Sequence, residues 1–129
     1  MLDRYRSVVR QLLSRHRGRE VNTAGDAFFA VFDRPANAVA CAVAMNDAVG
    51  ELGLRVRTGL HVGDVEMRGE QVTGLAVHAA ARIMGQAGPG EIVVSQEFAD
   101  MLPPGTALRD AGRHELRGVP GEWRLYQMA

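Results

Sequence analysis

The stretch from Arg19 to Phe32 constrains the fold more than any other part of the chain. Val21 and Thr23 are strand formers, and Gly25-Asp26 is a turn pair that favours a hairpin. Ala27 to Phe32 is a short apolar run with the length of a buried strand. The pattern predicts strand, tight turn, strand, with a single aspartate, Asp26, at the tip. An apolar strand behind a lone carboxylate holds it firmly, which suits presentation to a metal ion. Taken by itself, the pattern reads more commonly as a plain turn aspartate, because Gly and Asp are among the commonest turn residues.

The other elements arrange themselves around this hairpin. Before it, Leu2, Tyr5, Val8, Val9, Leu12 and Leu13 repeat at helical spacing, with arginines between, and Gly18 ends the helix. After it, Pro35 opens a helix rich in Ala, Val and Met that runs from Ala36 to Glu51. Leu54 to His61 alternates arginine with apolar residues, as a half-buried strand does. Gly63-Asp64 turns, Val65 to Met67 continues extended, and Gly69-Glu70 turns again. A third helix is predicted over Gly74 to Gly85, then a break at Gly88-Pro89-Gly90 and a strand over Glu91 to Val94. Ser95 caps a short helix reaching Met101, with Phe98 facing the core. Ala107 to Asp110, Arg113 to Arg117 and Glu122 to Gln127 read as closing strands. The expectation is one domain over residues 1–129, without repeats or linkers.

Composition removes several function classes. Formal net charge is zero, no basic block exists, and aromatic residues are only 5%. A nucleic-acid binder working by phosphate neutralisation and base stacking needs the opposite. Among the ferredoxin-like folds, an RNA-binding module also needs exposed aromatics at alternating sheet positions, which are missing here. All fifteen basic residues are arginine, so no step can rely on a lysine of this chain. The lone cysteine, Cys41, sits in an Ala-rich helical run, where a small buried thiol is expected. No apolar run has the length of a membrane span, so a cytoplasmic location is expected.

Four blocks together carry a resemblance. The hairpin from Arg19 to Phe32 resembles the second metal motif of the class III adenylate and guanylate cyclases. Arg57 to Val65 resembles that family's central strand and turn. Gly74 to Arg82 (Gly-Leu-Ala-Val-His-Ala-Ala-Ala-Arg) resembles its transition-state motif, and Glu115 to Tyr126 the last hairpin of its short bacterial members. The blocks come in the family's order. The resemblance implies an α+β fold with a ferredoxin-like βαββαβ core and extra C-terminal strands. It implies formation of cAMP or cGMP plus pyrophosphate from ATP or GTP, with Mg²⁺ or Mn²⁺. It also implies a head-to-tail homodimer, or a heterodimer with another cyclase domain, each site built from two subunits.

Carried over one residue at a time, Asp26 matches the second metal aspartate and Arg82 the transition-state arginine. Asn22, four positions before Asp26, stands where the family has its base-reading lysine. Gln71, seven positions before His78, stands at the second base-reading position, and His78 replaces the ribose-orienting asparagine. Asn22 and Gln71 are neutral amides able to read a base edge, and a neutral His78 ring can donate one hydrogen bond. The family's first strand, with its first metal aspartate, is missing from the chain. Asp3, at a helix start, suits the helix dipole and not that role. Losing one metal role removes several kcal/mol of transition-state stabilisation, on the order of a thousandfold or more in rate. Weak or lost cyclase activity is therefore expected. The alternatives are a catalytically inactive nucleotide-binding or dimerising module, and a natural protein with an upstream strand carrying the missing aspartate. The missing strand is central in such a sheet, so unpaired edges and a compensating rearrangement, strand exchange or dimerisation are expected.

Overall fold

The structure, a computed structural model, describes residues 2–24, 27–68 and 71–128. The chain folds into two compact units, one of residues 1–56 and 68–72, the other of residues 57–67 and 73–129. Together they form a mixed α+β architecture of four helices and eight strands among the described residues.

The first unit joins two helices and the hairpin. Helix α1 spans Leu2–Arg15, strands β1 and β2 span Arg19–Ala24 and Ala27–Val31, and α2 spans Pro35–Glu51. The apolar stripe read from the sequence is the face that α1 buries: Val9, Leu12 and Leu13 meet Cys41 of α2 in one core cluster. Phe28, Ala30 and Phe32 pack against the same cluster. Cys41 is 1% exposed, and its burial pushes the thiol pKa up, so it is a core residue and not a nucleophile. Strands β1 and β2 pair antiparallel, Arg19 opposite Val31 and Val21 opposite Phe29, with a register shift between Val21 and Ala24. The Arg10 guanidinium anchors α1 to this ribbon. It donates to Glu20 at 2.9 Å and lies over the Phe28 ring.

The second unit is built on a four-stranded sheet in the order β3-β6-β8-β7. These strands are Thr58–Leu60, Ile92–Ser95, Glu122–Met128 and Leu108–Glu115 for β3, β6, β8 and β7 respectively. The β3–β6 pairing is parallel and the other two are antiparallel. Helix α3 (Leu75–Met84) covers the sheet, and Ala79 and Ile83 point into a core with Val93, Leu116, Val119 and Leu125. A short α4, Gln96–Ala99, follows β6 directly. The register of α3 is set by Gly59 on β3. A Cβ there would stand 2.4 Å from the Met84 backbone nitrogen and 2.8 Å from the Ala80 carbonyl oxygen. Only glycine lets helix and strand approach this closely.

Most of the predicted elements are present, and three differ. Of the strand read over Leu54 to His61, only Thr58–Leu60 has a pairing partner, although Leu54 to Arg57 keep the alternation of half-buried and exposed residues. The extended segment after Val65 is β4 (Glu66–Arg68), and it pairs with a strand not anticipated, β5 (Gln71–Thr73). The two closing strands predicted at Ala107–Asp110 and Arg113–Arg117 are one strand, β7, with a register shift between Asp110 and Arg113. Among the described residues the strands pair in three separate sets, and β3 is an edge.

Candidate functional site

The candidate residues fall in two groups. In the first unit, Asn22 lies on β1 within the register shift, where the strand leaves regular pairing just before the hairpin tip. Gln71 opens β5. Asp26 lies outside the described residues. Among the described residues, no set of three carboxylate, imidazole or thiolate groups is placed to hold a metal ion. Asp26, the one carboxylate the sequence matches to a metal role, is not among those residues, and a single carboxylate holds a divalent cation weakly.

In the second unit, α3 carries His78 and Arg82. Four residues apart, they lie one turn from each other on one face of the helix. That face is exposed, while Ala79 and Ile83 on the neighbouring face are fully buried. Burial of Ala79 and Ile83 thus leaves Arg82 on the outward side of α3. Among the described residues, no hydrogen bond or ion pair engages its guanidinium. His78 is engaged: its Nε2 lies 3.1 Å from the carbonyl oxygen of Arg117, beyond the end of β7. A carbonyl only accepts, so Nε2 carries a proton and donates it. The hydrogen bond that a neutral His78 can donate is spent inside the chain.

One buried polar cluster escaped the sequence reading. The His61 Nδ1 lies 2.7 Å from the Ser95 hydroxyl, and the same hydroxyl accepts from the Phe98 amide at 3.1 Å. Ser95 is fully buried. The hydroxyl thus takes the Phe98 N–H on one lone pair and shares a second hydrogen bond with the His61 ring. His61 also meets Trp123 edge to face, with ring centroids 5.1 Å apart. Burial holds its pKa below the usual imidazole value, and the nearby Glu97 carboxylate opposes this. Ser95 was legible as a helix cap. Its partner, 34 residues earlier, had no local signal. The cluster ties β3, β6, α4 and β8 together, and the sealed hydroxyl is closed to substrates.

A family profile described as the adenylate and guanylate cyclase catalytic domain matches residues 1–129. The chain belongs to this cyclase family. A solved cyclase of Pseudomonas aeruginosa, the adenylyl cyclase CyaB, superimposes with a TM-score of 0.87 at 19% identity, covering 99% of this chain and 80% of that one. An adenylate/guanylate cyclase/hydrolase structure from Silicibacter pomeroyi gives a TM-score of 0.85 at 24% identity, covering 95% and 78%. These likenesses establish the cyclase fold. An uncharacterized protein of Mycobacterium tuberculosis (strain ATCC 25618 / H37Rv) is 38% identical over 104 residues, 77% of this chain. The match spans 36% of that relative's length.

Proposed function

We propose that residues 1–129 form one cyclase homology domain that binds ATP or GTP and cyclises it slowly. The 3′-oxygen of the ribose attacks the α-phosphorus, loses its proton, and displaces pyrophosphate. The observation that carries this reading is Arg82, exposed on α3 within the family's transition-state motif and, among the described residues, without a hydrogen-bond or ion-pair partner. Its planar fork of donors suits charge building on a phosphate. Asn22 and Gln71 are assigned to the base edge. Asp26, with the triphosphate oxygens, would hold Mg²⁺ or Mn²⁺, which when bound neutralises phosphate charge. With a single carboxylate this hold is weak. We assign the working form to a dimer, head to tail with itself or with another cyclase domain, in the cytoplasm.

A second reading is a nucleotide-binding or dimerising module without turnover. The commitment of the His78 donor to the chain itself favours it. One assay separates the two. Purified protein is incubated with ATP and with GTP, each with Mn²⁺ and Mg²⁺, beside Asp26→Ala and Arg82→Ala. Product that falls at least tenfold in both variants supports the cyclase. Product no higher than in the variants, with nucleotide still bound, supports the module.

A further inference from the structure

The contact between His78 and the turn after β7 is more elaborate than a surface hydrogen bond. Leu116 and Val119 flank this turn and are 3% and 7% exposed, packed in the same cluster as Ala79 and Ile83 of α3. The Val119 amide donates to the Leu116 carbonyl at 2.9 Å and closes the turn. Between them, Arg117 offers its carbonyl to His78, and Gly118 has a φ of +78°. A Cβ on Gly118 would stand 2.8 Å from His78 Nε2. The imidazole is thus seated directly on backbone that only glycine leaves open, in a conformation that glycine favours.

We infer that His78 is a positioning residue: its Nε2–H clasps the 117–118 backbone to α3 and so fixes the orientation in which Arg82, one turn on, is offered to phosphate. The apolar pairs beneath hold α3 down, but apolar contact is non-directional. The clasp adds the directional contact that sets the roll of the helix. While it holds, Nδ1 is the only ring nitrogen left to a ligand, and in the neutral ring it accepts. The inference rests on the cyclase reading for its ligand arm alone; the clasp itself does not.

Side-chain geometry supplies the test. The amide nitrogen of glutamine reaches about as far as Nε2 of histidine, whereas that of asparagine stops near Nδ1. His78→Gln should therefore rescue what His78→Ala and His78→Asn lose. Two quantities are measured on the full chain: melting temperature, and affinity for ATP with Mn²⁺ by calorimetry. The expected result is a lower melting temperature and an affinity weakened about three- to tenfold in the Ala and Asn variants, both recovered in the Gln variant. In an Arg82→Ala background, His78→Ala should leave the remaining affinity unchanged, because its effect runs through Arg82. A variant that binds best as Asn and worst as Gln would overturn the inference, since that order belongs to a residue touching the sugar. Additive losses in the double variant would overturn it too. If the wild-type chain binds no nucleotide, the cyclase reading fails. The clasp is then decided by whether the Gln variant melts above the Asn and Ala variants, and by slow water exchange of the His78 Nε2–H in the unmodified protein. Equal melting temperatures or fast exchange would reject it.

Discussion

At the scale of single residues, the sealed polar cluster of His61 and Ser95 makes the sharpest predictions. Ser95→Ala removes the acceptor for the Phe98 amide and the hydrogen-bond partner of His61 together. A lost helix cap costs about 0.5–2 kcal/mol, and the buried partner left unsatisfied places this variant at the upper end. Urea titration measures it. The pH dependence follows from the lowered His61 pKa. In the folded chain the ring stays neutral, while in the unfolded chain it binds a proton near its ordinary pKa of about 6.5. Between the two values the unfolded state holds more protons. Stability is therefore full above about pH 6.5, falls as the pH drops toward the folded pKa, and levels off below it. Melting temperatures from pH 8 to pH 5 should show this fall, and His61→Gln should flatten it. Ser95 was readable as a cap because capping is local. Its pairing with His61 depends on β3 and β6 lying side by side, which no short window of sequence contains.

At the scale of elements, the seat of α3 on β3 decides where Arg82 and His78 stand. Gly59 meets backbone atoms of Met84 and Ala80, which cannot swing aside as a side chain does. Gly59→Ala should destabilise the chain by about 1–3 kcal/mol or more, as overpacking does, and should lower nucleotide affinity by shifting the helix. Denaturant unfolding paired with nucleotide titration checks both. Helix α3 itself was legible, from its Ala-rich run between glycines. Strand β7 was legible only in pieces. Asp-Ala-Gly at residues 110–112 has turn chemistry, and the sequence reading broke the strand there. In the fold the same residues make a bulge: Asp110 accepts from the Gly112 amide at 2.7 Å and from Arg124 of β8, also at 2.7 Å. A partner strand converts a turn signal into a bulge. Strand β5 was missed because three residues are too few to show a period.

At the scale of the whole molecule, the edge that β3 presents among the described residues is consistent with the proposed dimer. Sedimentation should show a dimer whose fraction rises with concentration; a monodisperse monomer at all concentrations would reject this part of the proposed function. Bound ATP with Mn²⁺ should raise the melting temperature by mass action, by about 2.7 kcal/mol of stability at a hundred times the Kd. The sequence by itself determined the α+β class, the family and the order of most elements. It could do so because helix periodicity, turn residues and caps act over a few neighbours. Only the tertiary structure decided which edges remain open, that Arg82 stands exposed, and that the His78 donor is spent on Arg117. Those outcomes depend on residues 39 apart in the chain meeting at hydrogen-bond distance, and on a glycine leaving room for the ring. Contacts of that kind are set by the packing of whole elements, and a local stretch of sequence does not encode them.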